Sequence, residues 1–247
     1  MKTELMDFDF QRFILLAVTY FVPMLLSSAV HEYAHARSAY ALGDDTASRE
    51  GRMTLNPFSH IDLFGSILLP LLFVFMIVQN PGAMVPFIAW AKPVPYNPLR
   101  FTRRVSMRGG AAIVAAAGPL SNLVLAVIST ALLAVAFHID PTLMRFNPTT
   151  MGFENPASEL LFAFLRINVG LMLFNLIPLP PLDGSKVVAA FSKTYSDLMD
   201  RIAMFTFIFI ILLVNTEVGR TIFGRPYVSI VSWLYSLAVP APMALGT

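Results

Sequence analysis

The sequence predicts an all-α polytopic membrane protein, a bundle of about five or six transmembrane helices interrupted by one extended segment at membrane depth. Composition is the first sign. Of 247 residues 56% are hydrophobic and 13% charged, where soluble domains carry about 25% charge, and the mean hydropathy is +0.68. Apolar runs are the second. Five stand out, at 13–41, 61–78, 109–137, 159–177 and 201–214, several approaching the roughly 20 residues a helix needs to cross the hydrocarbon core. The third is the segment 80–108, which holds Pro81, Pro86, Pro93, Pro95 and Pro98. So many prolines forbid a regular helix, yet its "MVPFIAWA" is apolar, and extended backbone at membrane depth is tolerated only where protein buries it.

The elements follow in order. The run from residue 13 comes after "MKTELMDFDFQR", whose Glu4, Asp7 and Asp9 break the cationic start of a signal peptide. The run also outlasts a cleavable core and has no clear cleavage site, so a retained membrane helix is expected. The 109–137 run, "GGAAIVAAAGPLSNLVLAVISTALLAVAFH", is rich in Gly and Ala along its first half, which lets helix backbones approach where lipid gives no hydrophobic drive for association. The fourth run carries Asn168 and Asn175, seven apart and so on one face. It ends at Pro178, Pro180 and Pro181, after which Gly184 permits a tight turn. A sixth stretch, 227–240, is too brief for a span and suits the interface, where Trp233 and its tyrosines are comfortable. No repeat, low-complexity tract or extramembrane domain interrupts the chain, so residues 1–247 read as a single integral membrane domain.

Charge and cysteine content exclude other classes. A net charge of +2 without a basic, aromatic-laced surface gives no sign of a nucleic-acid partner. With no cysteine there is neither a disulfide nor a thiolate metal site, so any metal must be held by His, Asp or Glu.

His31-Glu32-Tyr33-Ala34-His35 is an HExxH motif. On a helix, residues four apart lie on one face about 6 Å apart. Two imidazoles can then grip one Zn²⁺ while Glu32 reaches a water beside it. Ser27, Ser28, His31, His35 and Ser38 form a polar stripe, and Leu15, Leu16 and Phe21 are expected to face lipid. Ionisable groups inside a spanning segment are costly and functional by default. Two histidines and a water leave tetrahedral zinc one ligand short. His60, His138 and, foremost, Asp183 in "NLIPLPPLDGSK" are the candidates for the third. An interfacial position is the plain reading of His138, and His60 could equally cap the start of the second stretch.

HExxH in a membrane helix, "GPLSN" at 118–122 and "NLIPLPPLDG" at 175–184 together resemble the site-2 protease family of intramembrane zinc metalloproteases, over roughly residues 20–195. The resemblance implies one catalytic Zn²⁺ held by His31, His35 and Asp183, with Glu32 as general base. It also implies that the Asn122 region faces the active site, and Asn122, Asn175 and His60 are candidates to contact substrate or its oxyanion. "FIAWAKPVPYNP" resembles the family's membrane-reentrant extended or β segment, in which Trp90, Ala91, Lys92 and Pro93 would pair with an extended substrate. The expected partners are a transmembrane or membrane-associated protein substrate and the lipid bilayer. The stretch at 61–78 departs from the smallest family members, residues 196–247 lie beyond the family-like core, and no PDZ-like or nucleotide-sensing domain is expected. A catalytically silent adaptor that binds membrane helices and a metal transporter are the rival classes; the intact Glu32 and the single cluster favour the protease.

To share one ion, HExxH and Asp183 must lie near the same membrane face. Four simple crossings would separate them. The parity is repaired if residues 81–92 cross back in extended form, or if 61–78 only half-crosses. With the return, and with 201–214 crossing, eleven Lys and Arg collect on the site's face and five on the other, which places the site nearer the cytoplasmic face of what is expected to be a prokaryotic cell membrane. Arg166 remains inside the fourth stretch.

Overall fold

The computed structural model of the chain describes residues 9–79, 90–147, 152–214 and 216–240. It is helical almost throughout. The first helix, α1 (Phe10–Ala41), starts where the Asp9 carboxylate accepts the Arg12 amide and continues through Pro23. A short α2 (Thr46–Arg49) follows. Its Asp45 takes hydrogen bonds from Arg49 and Arg100. The Arg49 bond holds the Asp45 carboxyl below the usual range, so this tie is present at neutral pH and is lost as the pH falls through that lowered value.

The second apolar stretch forms a wide-turn segment, Leu63–Leu68, running into α3 (Leu69–Gln79). Asp62 caps its start by accepting the Phe64 and Gly65 amides. The expected return over residues 81–92 falls largely on residues 80–89, outside the described ones. Residue 90 is described, and the Trp90 amide donates to the Gly65 carbonyl. From there residues 90–97 run without helix or strand pairing.

The third stretch is α4 (Met107–Ile139), capped by Ser106 and passing through Pro119. After the small antiparallel pair β1 (Phe146–Asn147) and β2 (Gly152–Phe153), α5 (Pro156–Asn175) begins with Asn155 capping two amides and a proline at the first helical position. Then come α6 (Asp183–Ala189), α7 (Lys193–Val214), a single turn α8 (Glu217–Gly219) and α9 (Arg225–Ala238). Among the described residues three helices, α1, α4 and α5, are long and apolar enough to cross a membrane, and Leu63–Gln79 is a shorter apolar helix. The all-α polytopic class is therefore observed.

Each long helix has two faces. Along α1, Ile14, Val18, Val22 and Leu26 are exposed at four-residue spacing, while Thr19, Pro23, Ser27 and His31 are buried at the same spacing one position on. Of the residues expected to face lipid, Leu15 is exposed but Leu16 and Phe21 are half-buried. The main core lies between α4, α5 and α9, around Ala126, Leu133, Leu165, Val169, Val231 and Leu234. Val231, Leu234 and Ala238 form one helical face that packs against α4 and α5, and Trp233 points away from it. Leu165 is fully buried in this core, so Leu165→Ala is expected to destabilise the fold by about 2–5 kcal/mol, read as a lowered thermal midpoint in detergent. Arg166 neither snorkels nor stands alone: it lies over the Tyr20 and Phe162 rings and donates to the Tyr20 hydroxyl, linking α5 to α1.

Candidate metal centre

The centre is assembled from α1, α4 and α6. His31 and His35 are one turn apart on α1, and their rings meet edge to face with centroids 4.6 Å apart. Their Nε2 atoms are 3.0 Å apart. Asp183, at the start of α6, brings Oδ2 to 3.2 Å from His31 Nε2 and 3.1 Å from His35 Nε2. Its other oxygen, Oδ1, is 3.6 Å from the Lys186 ammonium, which also lies over the Tyr96 ring. The following Gly184 is required for this approach: a Cβ there would collide with the Leu176 and Ile177 carbonyls at the end of α5. The proline-rich link thus folds α6 tightly back, as a glycine in this position allows.

The donor triangle fits zinc. Four ligands held tetrahedrally at about 2.0–2.1 Å sit about 3.3 Å from one another, close to the 3.0, 3.1 and 3.2 Å edges observed here. His35 Nδ1 is 2.7 Å from the Val114 carbonyl. That oxygen can only accept, so Nδ1 carries a proton, and in the neutral ring Nε2 faces the triangle as a bare lone pair. Neutral rings and a carboxylate meeting in this way need a cation between them. The ligand types are those zinc takes.

The wall opposite α1 is read off α4 at four-residue steps. Val114 supplies the carbonyl to His35, Gly118 supplies space, and Asn122 Oδ1 lies 2.6 Å from His31 Nδ1. Because residue 114 faces 35 and residue 122 faces 31, α1 and α4 run antiparallel. At Gly118 an added Cβ would stand 2.5 Å from the His31 ring and 2.6 Å from the His35 ring. Both imidazoles therefore rest on bare backbone.

Glu32 is buried beside the histidines, and donor atoms of His31, Glu32 and His35 lie within 4.8 Å of one another. Its Oε2 accepts the Val94 amide at 2.8 Å. The extended segment carrying Val94 is clamped by its neighbours: Trp90 and Lys92 donate to the Gly65 and His60 carbonyls, Ser66 donates to the Trp90 carbonyl, and Arg52 donates to the Lys92 and Pro93 carbonyls. Neither Arg52 nor Val94 carried a motif by which sequence reasoning could find it. A backbone amide leaves no side-chain signature.

The sequence candidates separate accordingly. His31, Glu32, His35 and Asp183 come together. Asn122 is fully buried, with both polar groups engaged by His31 and Asn168, so it is better suited to hold a ring than to meet substrate. Asn175 donates to the Leu171 carbonyl of its own helix. His60 is 2% exposed, and its Nε2 donates to the Thr54 carbonyl while its Nδ1 has no hydrogen-bond partner. His138 is exposed at the end of α4, bonded to the Ala134 carbonyl. On the extended segment the amides of Trp90 and Lys92 are already taken by the Gly65 and His60 carbonyls. Among the described residues, the backbone of Ala91 and the carbonyl of Pro95 have no such partner.

Comparison with known proteins adds to this geometry. The sequence profile of peptidase family M50 matches residues 19–214. A Bacillus subtilis (strain 168) protein named "Putative zinc metalloprotease YwhC" is 36% identical over 167 residues, 68% of this chain and 66% of that one. Proteins of Mycolicibacterium smegmatis and Mycobacterium tuberculosis, both named "Putative zinc metalloprotease Rip2", are 31% identical over 166 and 161 residues. Each of those matches covers 65% of this chain and 52% of the relative, so the chain spans only about half to two thirds of these relatives' length. No solved structure matches.

Proposed function

Because the chain belongs to peptidase family M50, the site-2 protease family, we propose that it is a zinc-dependent endopeptidase that hydrolyses peptide bonds in or near transmembrane segments of other membrane proteins. The carrying observation is the convergence of His31, His35 and Asp183 on one point with the Glu32 carboxylate alongside. His31, His35 and Asp183 are the proposed ligands of a single zinc, whose contribution when bound is Lewis acidity toward a carbonyl and acidification of water. Glu32 is the general base. The Val94 amide holds Oε2, which leaves Oε1 to take a proton from water and return it to the leaving amine. Arg52 fixes the segment that presents that amide. An unwound substrate needs partners for its freed backbone groups, and the extended segment at Trp90, Ala91, Lys92 and Pro93 is the proposed place for them.

Purified protein in liposomes, free of contaminating protease, is expected to cleave a model transmembrane substrate, to stop when zinc is stripped by a chelator, and to resume when zinc is restored. Metal-independent cleavage, or none under any metal, would sink the proposal. Zinc flux across the liposome without hydrolysis would instead favour the transporter.

The eleven-to-five excess of basic residues supports placing the site nearer the cytoplasmic face. Since the chain has no cysteine, a single Arg103→Cys in the exposed turn after the extended segment reports on this directly. Labelling by a membrane-impermeant thiol reagent is expected only from the cytoplasmic side.

A further inference from the structure

We infer that Asn168 is a positioning residue that sets the tautomer of His31 through a buried amide relay anchored on a backbone carbonyl. The inference rests on the reading of His31 as a zinc ligand. To ligate through Nε2, a neutral imidazole must carry its proton on Nδ1. For His35 the requirement is met directly by the Val114 carbonyl. For His31 the neighbour of Nδ1 is a side-chain amide, Asn122, at 2.6 Å. An amide can present either oxygen or NH2, so by itself Asn122 leaves the tautomer open.

The next links close it. Asn122 is 2.8 Å from Asn168, and Asn168 reaches both Ser27 Oγ and the Phe164 carbonyl at 2.8 Å. Asn122, Asn168 and Ser27 are all at 0% exposure, so water cannot substitute for any partner. The Phe164 carbonyl only accepts, so the NH2 of Asn168 must face it. The Asn168 oxygen then faces Asn122, the NH2 of Asn122 turns toward that oxygen, and the Asn122 oxygen is left facing His31. Nδ1 must donate, and Nε2 is bare toward Asp183. One backbone carbonyl on α5 thereby dictates the protonation pattern of a ring on α1. Reversing any amide would put two acceptors or two donors face to face in a buried site, which costs about 1–3 kcal/mol per unsatisfied group.

Three Asn168 and Ser27 variants separate this role from packing. Asn168→Leu keeps the branching at Cγ but removes both polar atoms, so Asn122 loses its acceptor and is free to turn. Asn168→Asp, protonated in this dry setting, still donates to the Phe164 carbonyl and accepts from Asn122. Ser27→Ala removes one acceptor and leaves the carbonyl anchor. The readouts are zinc affinity by chelator competition and ¹⁵N ring-nitrogen spectra of the metal-free protein, which has only four histidines to assign. Expected are a loss of zinc affinity of about 10–100-fold in Asn168→Leu, as for other groups that orient a metal-ligating His, with His31 shifting toward the Nε2–H form. Asn168→Asp and Ser27→Ala should keep the Nδ1–H form and bind zinc within a few-fold of wild type. Finding wild-type His31 in the Nε2–H form overturns the inference whatever the variants do. So does Asn168→Leu that retains both tautomer and affinity, or equal losses in Leu and Asp variants with the tautomer unmoved. His31→Ala is the control for the underlying reading: if it binds zinc as wild type does, the ligand assignment fails rather than the relay alone.

Discussion

Glu32→Gln is expected to bind zinc as wild type does and to lose cleavage by roughly 10²–10⁴-fold, the usual worth of a positioned acid–base group. Gln keeps the shape of Glu, and its amide oxygen can still accept the Val94 amide that now meets Oε2. What disappears is the basic oxygen that takes a proton. Zinc content by metal analysis and cleavage of a model transmembrane substrate are measured on the same preparation. Wild-type activity with Gln at this position would remove Glu32 from the reaction. A loss of zinc together with activity would show that Glu32 serves the metal rather than the water.

Gly118→Ala should abolish cleavage by a different route. The new methyl would sit 2.5 Å from the His31 ring and 2.6 Å from the His35 ring, about 1 Å inside normal carbon contact. The neighbours are two imidazoles pinned by Val114 and Asn122, so they cannot swing aside without breaking those bonds. Either α4 moves off α1 or the rings leave Asp183. A displacement of about 1 Å at a catalytic centre can cost 10²-fold, and bound zinc is expected to fall with activity. Gly109→Ala on the same helix is the comparison. An added Cβ there meets only the Ser106 hydroxyl, at 3.0 Å, so that variant should keep its zinc. Full zinc occupancy and activity in Gly118→Ala would show that the two helices are not in rigid contact.

Much of the helical frame was legible because lipid imposes a simple rule on sequence. The 109–137 and 159–177 runs became Met107–Ile139 and Pro156–Asn175, with boundaries marked by Ser106, Asn155 and prolines. The sixth stretch is too short for its partner to be read from its own residues; the packing of Val231, Leu234 and Ala238 against α4 and α5 appears only in the fold. His60 carries no local sign of its burial: its Nε2 donates to the Thr54 carbonyl, and its own carbonyl accepts the amide of Lys92, thirty-two positions on.

By itself the sequence determined the class of protein and the chemical inventory of the site, because hydropathy and helical spacing are local properties. Two rings at four-residue spacing share a face wherever that helix lies. It also restricted metal donors to His, Asp and Glu. Tertiary structure alone decided the rest: that Asp183 meets His31 and His35 across 152 and 148 positions of chain, that Gly118 must be bare, that the Val94 amide holds Glu32, and that Asn122 turns inward to a ring instead of outward to substrate. The reason is physical. A contact between helices depends on their separation and rotation to within about an ångström, and those are set by the packing of the whole bundle, which no local stretch of residues encodes.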